Sequence, residues 1–180
     1  TILVTQGGSD TYGLTPKITR ALDGLSSDIK VRIVLGRNFL HDTDIDAALK
    51  ASKRSFDIIR KCDDLSGFML DADMAISAGG NTLFELACLG VPAIVVCGEL
   101  FEVKTAARLE REGFGINLGF GMDVTDNRIY ETTVNMMHDF SLRKRTSSIG
   151  KGLVDGKGAE RMTEKIIDGF GRVTRGRIKI

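Results

Sequence analysis

The residue types with most chemical potential lie together in Ser77-Ala78-Gly79-Gly80-Asn81-Thr82-Leu83-Phe84-Glu85. Met74 to Ser77 is a short apolar run that reads as a strand. Gly79-Gly80 is a tight turn, and Thr82 to Leu89 has the spacing of a helix. Two glycines between strand and helix leave the first helical N–H donors bare. Those donors and the positive end of the helix dipole suit an anion such as a diphosphate. A plainer reading stands beside this one. Thr82-x-x-Glu85 is also a capping box, in which Thr82 accepts from the third helical residue and Glu85 reaches back to the cap. A cap does not require two bare residues in front of it, so the glycine pair favours the anion.

Other groups are weighed the same way. Gly7-Gly8-Ser9-Asp10 follows a buried-looking strand, Ile2-Leu3-Val4-Thr5, and the loop from Gln6 to Leu14 is longer than a strand-to-helix turn needs. Such a loop at the C-terminal end of the first strand of an open α/β sheet is a ligand loop, or simply a flexible turn. His41, Asp42 and Asp44 have poor spacing for a metal and read as an exposed helix start with Asp44 as cap. Asp63-Asp64 reads as a helix cap and dipole partner rather than a catalytic pair. Gly156-Lys157-Gly158 lacks the spacing and the Ser/Thr of a phosphate-binding Walker loop. Arg143-Lys144-Arg145 is a solvated helix face.

The elements that must position these groups alternate. Thr15-Pro16 looks like a cap with proline at the first helical position, followed by the apolar face Ile18, Ala21, Leu22 and Leu25. Lys30 to Leu35 is the second strand, closed by Gly36, and a helix with Ile45, Ala48, Leu49 and Ser52 on one face follows. Ser55 to Ile59 is the third strand, and a short helix over 66–72 leads to the fourth. Gly90-Val91-Pro92 stops the central helix before a strand over Ala93 to Val96. A helix from about Phe101 to Glu112, ended by Gly113, precedes the short sixth strand over 115–119. From Asp126, read as a cap, the chain is helical: one segment to His138, one from Ser141, and one over 156–170. Repeating strand and helix imply a parallel sheet with right-handed crossovers. The expected fold is α/β, a Rossmann-like, open, mostly parallel six-stranded sheet with helices on both faces. It fills residues 1–170, with a basic tail or linker over 171–180.

The segment SAGGNTLFELACLGVPAIVV resembles the nucleotide-diphosphate signature in the C-terminal half of GT-B-type sugar enzymes. The nearest likeness is to the UDP-sugar hydrolases of the pseudaminic acid pathway and related polysaccharide-biosynthesis proteins. The peptidoglycan N-acetylglucosaminyltransferase is more distant. The resemblance runs from about Leu3 to about Ile167. It implies that Gly79, Gly80, Asn81 and Thr82 hold the diphosphate and that Glu85 binds the ribose hydroxyls. It places Gly7, Gly8 and Ser9, followed by Asp10, beside the diphosphate or the sugar. It also puts Cys62, whose backbone would read the uracil edge, in the ligand site with Leu65. The hydrolases carry an Asn-Gln pair where this sequence has Phe101-Glu102, a departure that leaves Glu99, Glu102 and Lys104 as replacements without further support. No residue matches the hydrolases' catalytic histidine, which the resemblance places in an N-terminal half. The catalytic residues are therefore unknown here, and the chain alone is expected to be inactive. Its partners would be a nucleotide sugar and an N-terminal GT-B domain, in the same chain or in a partner subunit, with no metal or other cofactor.

Composition agrees with a soluble globular protein. Of the 180 residues 42% are hydrophobic and 27% charged, and a formal net charge of +1 gives no global field for nucleic acid. No apolar run approaches a membrane span, no signal-peptide pattern opens the chain, and the expected location is the cytoplasm. Cys62, Cys88 and Cys97 match neither a zinc site nor a disulfide framework and read as reduced thiols, with Cys88 a small core residue. Thr1 opens directly into a strand, as expected for a fragment of a longer chain. The function read from the sequence is binding of a nucleotide-diphosphate sugar, as the donor half of a UDP-sugar hydrolase or a glycosyltransferase. The rival is a non-catalytic subunit that binds a nucleotide sugar or a partner protein. A Rossmann dehydrogenase is excluded, because QGGSDTYG does not supply G-x-G-x-x-G.

Overall fold

The structure is a computed structural model that describes residues 1–176 apart from Asp63. Six strands, β1 (Ile2–Thr5), β2 (Val31–Leu35), β3 (Asp57–Arg60), β4 (Met74–Ser77), β5 (Ala93–Cys97) and β6 (Ile116–Phe120), form one sheet in the order β3-β2-β1-β4-β5-β6. Every neighbouring pair is parallel, with Val4 of β1 opposite Ile33 on one side and Ile76 on the other. The sheet is thus wholly rather than mostly parallel. Its order reverses between β1 and β4, and that switch point opens a crevice at the carboxyl ends of the strands.

Strands buried on both faces must be apolar along their whole length. Ile2-Leu3-Val4 and Ala93-Ile94-Val95-Val96 are, and all of these residues are buried. On one face Val4, Ile33, Ile76 and Val96 meet Leu14 and Ile18 of α1 (Leu14–Ala21), Ile45 of α2 (Asp42–Ala51), and Ile129 and Met136 of α6 (Asp126–His138). On the other, Leu3, Val34, Ala75 and Val95 meet Met69 of α3 (Ser66–Leu70), Leu83 and Leu86 of α4 (Asn81–Leu89), and Ala106 and Leu109 of α5 (Leu100–Arg111). Ile149 of α7 (Phe140–Leu153) packs against the same cluster. Each fully buried Leu or Ile contributes about 1.5–3 kcal/mol, so these two layers hold the crevice rigidly between them.

Several helix starts differ from the sequence reading because a neighbouring side chain reaches the orphan N–H groups first. Asp10, not Thr15, caps α1: its two carboxylate oxygens accept from the N–H of Leu14 at 2.8 Å and of Thr15 at 2.7 Å, so the helix begins ahead of Thr15. Thr125 rather than Asp126 caps α6, its hydroxyl accepting from Arg128 N–H at 3.2 Å. Asp139 caps α7, which starts at Phe140. Asp44 lies inside the first turn of α2, where His41 holds the capping position. The third strand starts at Asp57, later than expected, since Phe56 packs under the sheet edge.

The last helix, α8 (Gly158–Gly176), is amphipathic by sequence and leaves Met162, Ile166 and Ile167 exposed. The basic segment over 171–180 enters this helix through Gly176, and residues 177–180 lie outside the described residues. Among the described residues no helix is long and apolar enough to cross a membrane.

Candidate functional site

Both glycine segments singled out in the sequence stand at the switch point. The loop after β1 carries Gly7 and Gly8, and the turn after β4 carries Gly79 and Gly80. One cleft of about 400 Å³ is lined by Thr5, Gly7 and Gly8 from β1 and its loop, by Gly36 and Arg37 after β2, by Cys62 and Leu65 after β3, and by Thr82 of α4. A second cleft of about 590 Å³ is lined by Asp64, Leu65 and Ser66, by Phe84, Glu85 and Cys88 of α4, and by Val154 and Gly156 beyond α7. Leu65 lines both, so the two clefts adjoin at this side chain. Thr82 and Glu85, three residues apart on one helix face, point the first cleft into the second.

Helix α4 begins at Asn81 with Gly80 as its N-cap, and no side chain caps it. The Thr82-x-x-Glu85 capping box is therefore not formed, because Thr82 already lies inside the helix, two residues beyond the N-cap Gly80. Glu85 is exposed and its carboxylate is uncommitted to the helix start. At this helix start Asn81 is exposed and Thr82 lines the first cleft, whereas Gly79, Gly80 and Asn81 line neither cleft; the orphan N–H groups of the first turn lie at the anion-attracting end of the dipole.

The opposite wall is held by backbone contacts between two loops. Asn38 N–H donates to Gly8 O at 3.0 Å and Leu40 N–H to Ser9 O at 3.3 Å. Gly36 permits this approach: a Cβ there would stand 2.3 Å from Gly8 O and 2.4 Å from Gly7 O. Ser9 lies at the outer side of the loop, its hydroxyl 3.5 Å from that of Thr11, and Asp10 is buried as the cap of α1. Gln6, at the base of the loop, is 6% exposed and neither atom of its amide has a hydrogen-bond partner among the described residues. An unsatisfied buried amide costs stability, and here that cost sits directly beneath the glycine loop.

Around the second cleft, the Cys62 thiol donates to Asp64 O at 3.0 Å, and the Asp64 carboxylate accepts from Ser66 N–H at 2.9 Å. The Ser66 hydroxyl and then its N–H hold the Asp64 carboxyl below the usual range, as expected of an acid fixed at a helix entrance. Asp63, read as its partner in a cap, lies outside the described residues. Cys88 is half-buried on the wall of the cleft, so the core cysteine is Cys97 instead. Burial, and secondarily the Glu102 carboxylate, push the Cys97 thiol up to about 12. His41 faces Asp44 at 3.4 Å, and among the described residues no group of His, Cys, Asp and Glu could hold a metal.

Three site residues escaped the sequence reading or were left unsupported by it. Arg37 follows β2 as Gly7 nearly follows β1, and the rule that ligands sit at strand carboxyl ends points to it once the strand is recognised. Phe84 is visible as a neighbour of Glu85 on α4. Glu102 requires knowledge of which turns are adjacent: its Oε2 accepts from Gly79 N–H at 3.1 Å, Gly98 N–H at 2.8 Å and Glu99 N–H at 3.3 Å, tying the β4–α4 turn to the β5–α5 turn.

The chain is 32% identical over 169 residues to the spore coat polysaccharide biosynthesis protein SpsG of Bacillus subtilis (strain 168), an alignment covering 93% of this chain and 50% of SpsG. It spans about half the length of that relative. Among solved structures it is similar to the calicheamicin glycosyltransferase CalG4, at TM-score 0.70 and 16% identity, covering 96% of this chain and 42% of that one. It is also similar to S. aureus MnaA, solved with UDP, at TM-score 0.71 and 17% identity, covering 92% and 44%. These likenesses establish a GT-B Rossmann-like fold. Residues 1–116, which hold the sheet through its fifth strand together with the two glycine segments, Glu85 and Glu102, match the model of the Glycosyltransferase family 28 C-terminal domain, and the chain belongs to that family.

Proposed function

We propose that this chain is the donor-binding half of a nucleotide-sugar enzyme of polysaccharide biosynthesis, and that the ligand is a UDP-sugar. The observation that carries the reading is the placing of Gly7, Gly8 and Thr82 in one cleft and Glu85 in the cleft that adjoins it, at the sheet's switch point. In this reading the diphosphate lies in the first cleft, on the N–H groups that open α4, with Arg37 among the residues that line the cleft. The ribose hydroxyls meet Glu85, and the base lies where the two clefts adjoin at Leu65, next to Cys62 of the first, where backbone groups read its edge. Ser9 and the rest of its loop border the sugar, and Asp10 acts by holding that loop onto α1.

Two reactions suit a donor held in this way. In a hydrolase of the pseudaminic acid type, water attacks the anomeric carbon; in a transferase, an acceptor hydroxyl or amine does so. In both the new bond forms at that carbon, its bond to the diphosphate oxygen breaks, and the leaving nucleoside diphosphate takes the electron pair. The proton lost by the nucleophile goes to a base. That base, with the acceptor side, belongs to an N-terminal half in this reading, which draws support from the chain spanning half of SpsG. The helix start stabilises the charge that grows on the departing diphosphate.

Glu85→Gln tests the assignment. Because no capping box is present, the ligand-free melting temperature stays within about a degree. If the carboxylate accepts from both ribose hydroxyls, charge-assisted bonds become neutral ones and about 1.4 kcal/mol of affinity goes, a tenfold rise in Kd for UDP by calorimetry. A 2′,3′-dideoxy nucleotide binds wild type weakly and is indifferent to the substitution. Unchanged UDP affinity in the variant removes Glu85 from the ribose site.

A further inference from the structure

The diphosphate assignment puts an anion on the first turn of α4, and the structure buries a carboxylate against the Gly79-Gly80 turn that leads into it. Glu102 is 8% exposed, and its side chain reaches back from the first turn of α5 into the gap between two strand-to-helix turns. All three backbone donors found there, the N–H groups of Gly79, Gly98 and Glu99, go to Oε2. Its other oxygen, Oε1, lies 3.1 Å from the place a Cβ on Gly80 would occupy, at the residue that begins the helix. The clearance at Gly79 is similar, 2.9 Å to Glu102 Cβ, so the glycine pair is fitted around this side chain. The Cys97 thiol lies beside it, since a Cβ on Gly79 would stand 3.3 Å from Cys97 Sγ as well as 2.9 Å from Glu102 Cβ.

We propose that Glu102 is a specificity-determining residue that makes the cleft favour an esterified diphosphate, as in a nucleotide sugar, over a free nucleoside diphosphate. The inference rests on the reading of the cleft as a diphosphate site. An anion on the first N–H groups of α4 would share the Gly80 turn with Glu102 Oε1, near enough in a partly desolvated cleft for each extra negative charge to be opposed by about tenfold or more. A free diphosphate bears one more charge than its ester above about pH 6, where a terminal phosphate loses its second proton. Glu102 therefore penalises the free diphosphate more than the ester. The nucleoside diphosphate released by hydrolysis or transfer is thereby held less tightly than the donor.

Calorimetry at pH 7.5 with UDP and with its β-methyl ester separates charge from sugar contacts, since the ester has no sugar beyond the diphosphate. Wild type is expected to bind the ester about tenfold more tightly than UDP. In Glu102→Gln, checked for folding by circular dichroism, UDP gains about tenfold, the ester changes little, and the preference disappears. Equal binding of the two ligands by wild type overturns the inference while leaving the diphosphate site in place. An equal gain for both in the variant does the same, since it marks Glu102 as an occupant of the anion's place. If the variant does not fold, the wild-type ratio decides alone. Binding of neither ligand by folded wild type overturns the diphosphate assignment and this inference with it.

Discussion

Gly36→Ala is expected to lower stability by about 2–3 kcal/mol and to weaken UDP binding at least tenfold, although residue 36 is offered no contact with the nucleoside. The added Cβ would stand 2.3 Å from Gly8 O and 2.4 Å from Gly7 O. Both are backbone atoms, so no rotamer change relieves the overlap, and the loop must move by roughly 1 Å. That movement strains the bonds from Asn38 N–H to Gly8 O and from Leu40 N–H to Ser9 O, and displaces one wall of the first cleft. In a chain of this size the loss corresponds to about 4–12 °C in melting temperature. A variant that melts within a degree of wild type and binds UDP equally well removes the two-loop wall from the account.

Gly80→Val should abolish UDP binding, with at least a hundredfold rise in Kd, while leaving a folded protein. Gly80 has φ −82° and ψ −152°, an extended conformation open to a β-branched residue. Its Cβ would meet only the tip of a carboxylate, Glu102 Oε1 at 3.1 Å, so the backbone need not break. The γ-carbons of valine, however, crowd the crevice where phosphate oxygens must reach the first N–H groups of α4. Circular dichroism checks the fold and calorimetry the binding. Undiminished affinity in a folded variant removes the anion from this helix start.

Much of this was legible in the sequence, for reasons that vary along the chain. β1 and β4 were bounded to the residue because each is a short apolar run closed by a glycine segment. β3 was misplaced because an edge strand mixes Asp57, Ile58, Ile59 and Arg60, and half-buried residues blur the pattern. Helix starts were uncertain by a residue or two wherever several capping side chains stand close together. Asp10 shows why: it acts across four and five residues, on Leu14 and Thr15, from a loop whose path the sequence does not reveal. In the site, the glycines and Glu85 carried their own signal. Glu102 did not, since its role depends on β4 and β5 being neighbours, which brings Gly79 within reach of a residue 23 positions later. Arg37 likewise gains meaning only when β2 is known to flank β1.

The central claim, that the switch-point clefts bind a nucleoside diphosphate moiety, is tested most directly by titrating the chain with UDP in a calorimeter, with thymidine, guanosine and adenosine diphosphates alongside. The account predicts one UDP per chain, bound more tightly than the purine nucleotides. At a hundredfold excess over Kd it also predicts a gain of about 2.7 kcal/mol, because the ligand binds only the folded state. A folded chain that gives neither heat nor a rise in melting temperature with any of the four at millimolar concentration would contradict it.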